Sequence, residues 1–103
     1  MTTTIDYKIN KEKLEKAAFI LRTVAHPTRL AIVDLLSSNP RLNVNDLSEI
    51  LEVEQSLLSH HLITMKLKGI LRSEKEGQNM YYSLKEKDVT KLIECIEHCD
   101  CNM

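Results

Sequence analysis

The chain has 103 residues, 43% of them apolar and 28% charged, which is ordinary globular composition sized for a single domain over residues 1–103. A net charge of −1 does not by itself announce nucleic acid, and no apolar run approaches the roughly 18–20 residues of a membrane span, so no membrane partner is expected. Four aromatics (Tyr7, Phe19, Tyr81, Tyr82) and no Trp imply an aliphatic core, and two Gly with two Pro leave few turns, which favours helices.

The segment KEKLEKAAFILRTVA, residues 11–25, places Leu14, Ala17, Ala18, Leu21 and Val24 at helical spacing with charges opposite. His26-Pro27 breaks that helix, because the residue before proline is pushed out of the α region. Pro27 then opens a second helix, PTRLAIVDLLSS. Leu30, Ala31, Ile32, Val33, Leu35 and Leu36 make this helix apolar nearly all round, which places it at the centre of the domain. Pro40 stops it. Asn43 or Asn45 caps a short third helix, DLSEILE, with Leu47, Ile50 and Leu51 directed inward. After a break at Val53-Glu54 comes QSLLSHHLITMKLKG, with Leu58, Leu62, Met65 and Leu67 on its inner face and Gly69 as its C-terminal stop. Two such helices joined by a tight turn form a helix-turn-helix over 45–69.

The pattern then changes. In ILRSEKEGQNMYYSL, apolar and aromatic residues flank a polar centre, which predicts a hairpin over 70–84 turning at Gly77. A last helix over 85–100 carries Val89, Leu92, Ile93 and Ile96 on one face. Local charge follows the same division: residues 54–75 are net +2 and residues 85–103 net −2.

A helix-turn-helix followed by a two-stranded wing is the winged-helix plan, mainly α with a small β-hairpin. HPTRLAIVDLL, DLSEILEVEQSLLSHHLITMKLKGIL and EGQNMYYSL closely resemble the arsenic-repressor (ArsR/SmtB) family of bacterial transcription factors, over about residues 12–98. The resemblance implies a homodimeric repressor and not an enzyme. In such proteins the first and last helices build the dimer interface, here through Leu14, Ala17, Leu21, Leu92 and Ile96. The helix after the turn enters the major groove, and a two-fold dimer matches an operator with half-sites one helical turn apart.

Gln55, Ser56, Ser59 and His60 lie on the fourth helix away from its apolar face. Gln can bond adenine bidentately, and Ser can reach bases or phosphates. Lys66 and Lys68, late in the helix, suit phosphate contacts. His60 and His61 point about 100° apart, so His60 is assigned to DNA and His61 to packing against the third helix or the wing. Lys75, Gln78 and Asn79 of the wing reach the minor groove or flanking phosphates, although EKEGQN lacks the arginines usual in this family. Arg29 is a phosphate contact or a partner of Asp34. Of Tyr81 and Tyr82, which alternate sides of a strand, one belongs to the core.

The family's familiar Cys-x-Cys site in the third helix is absent from SEILEVE. Only fragments remain of its last-helix zinc site, at Glu86, Asp88, Cys99 and Asn102. All three cysteines fall in CIEHCDCNM, residues 95–103. Cys95 and Cys99, four apart, share a helical face; with Cys101 and His98 they form a donor set for As(III) or Zn(II). The N-terminal MTTTIDYKINKEK lacks a secretory signal pattern, so a cytoplasmic protein with reduced thiols is expected. Glu94, Glu97 and Asp100 disfavour a thiolate, which weighs against a highly reactive cysteine. Three readings of the tail stand: metal or metalloid sensing, redox or persulfide sensing, and no sensing role. A winged helix serving only protein–protein contact, without a ligand, is the alternative to DNA binding.

Overall fold

Helix boundaries in this chain are set largely by side chains that satisfy the free backbone groups at each end. In the computed structural model, which describes residues 8–99, α1 (Lys11–Val24) starts where Asn10 accepts the Lys13 N–H at 2.8 Å. It stops before His26-Pro27. Helix α2 (Pro27–Ser38) is capped by His26, whose Nδ1 accepts the Thr28 N–H at 3.1 Å. At its far end the Asn39 backbone and side chain both donate to the Leu35 carbonyl. Ile32, Val33 and Leu36 of α2 are buried, so the helix is central as its composition predicts.

A two-residue strand that local sequence does not announce, β1 (Leu42–Asn43), follows Pro40. Asn43 then caps α3 (Val44–Leu51) by accepting the Asp46 N–H at 2.7 Å. The turn into α4 (Gln55–Leu67) passes through Glu52 in the left-handed region, at φ 54°. Ser48 fixes that turn: its hydroxyl donates to the Val53 carbonyl at 2.7 Å, and its own carbonyl accepts the Val53 N–H. Helix α4 ends at Gly69, whose φ of 83° lets the Ile70 N–H return to the Met65 carbonyl. The hairpin of β2 (Leu71–Glu76) and β3 (Asn79–Leu84) turns through Gly77 at φ 64° and Gln78. All pairings are antiparallel in the order β1-β3-β2, with Leu42 opposite Tyr82 and Leu71 opposite Leu84. Helix α5 (Val89–Glu97) packs on α2.

Ile32, Val33, Leu47, Leu58, Leu62, Met65, Ile70 and Leu71 form the centre of the core, each at most 1% exposed. Burial of each large side chain contributes about 1.5–3 kcal/mol, so the inner face of α4 is firmly anchored. Two expected core residues lie elsewhere. Leu67 is 81% exposed and Ile50 is 53% exposed. At about 100° per residue, Leu67 falls nearly opposite Leu58 on α4. On α3 the inward arc is centred between Val44, Leu47 and Leu51, and Ile50 falls outside it.

The last helix is also shorter than the expected 85–100. Lys85 and Glu86 donate their backbone N–H groups to the Ile70 carbonyl, which holds them to the root of the wing rather than in a helix. At the other end the Cys99 N–H bonds Ile96 O, a tightened terminal turn beyond Glu97. Residues 98 and 99 therefore do not continue as helix, and Cys99 stands outside it.

Candidate nucleic-acid interface

With Leu58, Leu62, Met65 and His61 turned inward, α4 presents Ser56, His60, Ile63 and Leu67 one above another on its open side. Gln55 is exposed at its first turn, where Nε2 donates to the Asn45 side chain of α3. The Ser56 hydroxyl donates to Glu54 at 2.7 Å. Ser59 lies on the flank and is half-buried. Both Lys66 and Lys68 are exposed at the C-terminal end, Lys68 with its Nζ 5.4 Å from the centre of the Phe19 ring. Ile63, 51% exposed, belongs to the open face although the polar pattern did not single it out. Its spacing from Ser56 and Leu67 was the available signal.

Arg29 is held by hydrogen bonds to the two helices beside α2. Its Nε donates to His61 Nδ1 at 3.0 Å and its Nη1 to the Thr23 carbonyl at 2.9 Å; it is not paired with Asp34. The guanidinium thus lies between α1, α2 and α4. His61 has its ring centre 4.5 Å from that of His26, at the α1–α2 junction. It is 5% exposed, and burial first, then the charges of His26, Arg29 and His60, lower its pKa below the ordinary histidine value. Arg29 also lines a cleft of about 170 Å³ with Phe19, Arg22, Thr23 and Lys68.

At the wing, Lys75, Gln78 and Asn79 are exposed around the Gly77 turn. The acidic residues beside them are held by Arg41, which the sequence reading did not single out. Arg41 Nη1 lies 3.0 Å from Glu74 Oε1 and 2.7 Å from Glu76 Oε2. Its guanidinium also stacks 4.1 Å from the Tyr81 ring centre. The bond to Arg41 lowers the Glu76 pKa and raises that of Arg41. The partners lie 33 and 35 residues along the chain, so no local pattern could have revealed the clamp. Tyr82 is the tyrosine that joins the core, and burial pushes its phenol pKa up.

Leu14 and Leu21 of α1 are 41% and 50% exposed, and Ala17 is exposed beside them. Ala17, Ile20 and Leu21 face Val89 and Leu92 of α5 across a cleft of about 220 Å³. Ile96 is 51% exposed. Lys16 and Glu86 form an ion pair at 3.4 Å that ties α1 to the segment before α5. Cys95 is an exposed free thiol on α5, His98 closes the helix, and Cys99 beyond it is disulfide-bonded. Cys101 lies outside the described residues. Among the described residues no group of three His, Cys, Asp or Glu side chains is arranged to hold a metal ion, and no helix is long and apolar enough to cross a membrane.

This arrangement, an open helix behind a tight turn with a hairpin beside it, is shared with known proteins. Residues 26–73 match the model of "Bacterial regulatory protein, arsR family". The chain is 38% identical over 96 residues to the transcriptional repressor PagR of Bacillus anthracis, covering 93% of this chain and 96% of that one. It is 34% identical over 94 residues to a cadmium resistance transcriptional regulatory protein CadC homolog of Staphylococcus aureus, covering 84% and 78%. Among solved structures it resembles HlyU from Vibrio cholerae at a TM-score of 0.80 and 33% identity, covering 90% of this chain and all of that one. The chain therefore belongs to the arsR family of bacterial regulatory proteins, winged-helix DNA-binding transcriptional regulators rather than enzymes.

Proposed function

We propose that the protein is a cytoplasmic homodimeric repressor that reads a pseudo-palindromic operator through α4 and the wing and leaves it when its C-terminal cysteines are engaged. The observation that carries this reading is the division of α4. Its inner face is locked by Leu58, Leu62 and Met65, each 0% exposed, while Ser56, His60 and the lysines at its end stay open. A rigid helix whose open side carries polar side chains beside Ile63 and Leu67 can enter a major groove without rearrangement. Gln55, Ser56, Ser59 and His60 would meet base edges or phosphates. Lys66, Lys68, Lys75, Gln78 and Asn79 would hold the backbone; Arg29, committed to His61 and Thr23, acts behind the interface. The apolar residues left open on α1 and α5 supply the dimer face, through Leu14, Ala17, Leu21, Leu92 and Ile96.

The effector reading rests on the position of the thiols. Cys95 is a free, exposed thiol on a dimer helix, and soft thiolates with His98 suit As(III) or Zn(II). Cys99 is in a disulfide, which takes up two thiols, so the donor set of Cys95, Cys99, Cys101 and His98 fits such an ion only in the reduced chain. That same disulfide favours a second reading, in which thiol oxidation or persulfidation is itself the signal. In either case a change at the end of α5 shifts the population of dimer geometries away from the one whose two α4 helices match successive grooves.

Selection of operator duplexes from a randomised pool, followed by fluorescence anisotropy at several salt concentrations, tests the DNA reading. Saturable binding to a palindromic site, weakening steeply with salt, is expected. Salt-independent binding, or none, would leave the protein–protein module as the better account. For the effector, arsenite, zinc and a persulfide donor are added to the DNA-bound reduced protein. Release by one of them, lost when Cys95, Cys99 and Cys101 are all Ser, is expected; unchanged release in that variant refutes the thiol role.

A further inference from the structure

HPTR at 26–29 and SHHL at 59–62 are distant in sequence, yet the fold joins them through a single hydrogen-bonded unit. We propose that Arg29 and His61 form a positioning latch that sets α4 against the end of α1, and that operator affinity falls when His61 takes a proton. The proposal rests on the reading of α4 as the DNA helix.

Arg29 Nε donates to His61 Nδ1 at 3.0 Å, and its Nη1 donates to the Thr23 carbonyl at 2.9 Å. Thr23 is itself 4% exposed, and its hydroxyl donates to the Phe19 carbonyl at 2.9 Å. One cation therefore bridges the carbonyl-bearing end of α1, where the helix dipole favours positive charge, and the inner face of α4. The His26 ring closes the other side, with His26 Nδ1 already accepting from Thr28 N–H.

For this geometry His61 must be neutral, with its proton on Nε2. A guanidinium can only donate, and a protonated imidazole has two N–H donors and no acceptor. Protonation thus replaces the bond by two cations in contact. The groups whose charge reaches His61 are His26 from the α1–α2 turn, Arg29 from α2 and His60 from α4 itself, all basic. Arg29 shares the neighbouring cleft with Arg22 and Lys68, and among the described residues lining it there is no carboxylate to receive a displaced guanidinium. The remaining relief is movement of α4, on which His61 faces inward and the adjacent His60 faces out.

Operator binding is measured by anisotropy at constant ionic strength from about pH 8 to about pH 5.5, spanning the ordinary histidine range. The measurements use a His60→Asn background, so that His61 is the one histidine left on α4. A progressive loss of affinity towards the acid end is expected, smaller than about tenfold at about pH 5.5 because the His61 pKa lies below the ordinary value. In His61→Asn, whose carboxamide oxygen can still accept from Arg29 but does not titrate, the profile is expected to be flat. A loss that persists in His61→Asn, or no loss without that substitution, overturns the proposal. The His61 ring is also titrated by NMR in DNA-free protein, with and without Arg29→Gln. Removing the guanidinium should raise its midpoint towards the ordinary value, and an unchanged midpoint refutes the latch even if His61→Asn fails to fold. Absence of DNA binding at every pH by the chain with His60 and His61 both unaltered would refute the reading of α4 instead, while the NMR titration still judges the Arg29–His61 contact.

Discussion

Leu62 and Leu67 are the same residue type on the same helix, five positions apart, and the fold gives them opposite surroundings. Leu62 is 0% exposed and Leu67 81% exposed. Leu62→Ala removes roughly three methylene equivalents from a packed site, worth about 0.8 kcal/mol each in transfer free energy. The unfilled space adds to that, giving a loss of about 2–5 kcal/mol. In a domain of this size each kcal/mol moves the midpoint by roughly 4–8 °C, so Tm should drop by at least roughly 8 °C. Leu67→Ala removes surface already in water and exchanges one good helix former for another, so its effect should stay within about 0.5 kcal/mol. Circular dichroism melts and urea titrations at one fixed protein concentration measure both, because association would make the midpoint concentration-dependent. If the two variants lost stability to within about 1 kcal/mol of each other, the placement of α4 would be wrong.

Glu52 adopts φ 54° without being glycine, and Glu52→Gly should relieve that conformation and raise stability by roughly 0.5–1 kcal/mol in urea titration. Lys66→Ala should weaken all DNA duplexes to a similar extent and lower the slope of log affinity against log salt by about one, measured by anisotropy across a salt series. The depressed pKa of His61 makes the folded state bind fewer protons than the unfolded chain. Its contribution to stability is therefore full above the ordinary value near 6.5 and lost as pH falls through the lower folded value. Denaturation across that window should show a smaller acid loss in His61→Asn than in the unaltered chain.

Features carried by single residues with strong backbone preferences were readable from the chain. His26-Pro27, Pro40, Gly69 and Gly77 mark real boundaries, and Asn43 is one of the two caps the sequence offered. The buried stripe of Leu58, Leu62 and Met65 followed from helical spacing. Features decided by partners far along the chain were not readable. Strand β1 exists because Leu42 and Asn43 meet Tyr82 and Tyr81, and two residues carry no periodicity of their own. The start of α5 was misplaced because Lys85 and Glu86 are held by the Ile70 carbonyl, a tertiary contact. For the interface, the exposed polar positions of α4 followed from their offset from Leu58, Leu62 and Met65, but the exposure of Ile63 and Leu67 did not, and Arg29 looked like a surface cation. Only the fold brings His61 and the Thr23 carbonyl within its reach.

The Arg41 clamp makes the wing a composite object. Its acidic side chains, Glu74 and Glu76, and the Tyr81 ring are arranged around a guanidinium supplied from just before β1. A hairpin of residues 70–84 moved alone into a relative would arrive with two carboxylates, Glu74 and Glu76, parted from their guanidinium partner. The transferable module is discontinuous: the hairpin together with the Arg41–Asn43 segment that pairs beside it. Chimeras that exchange DNA specificity between such regulators should be cut on that boundary, not at the ends of the two visible strands.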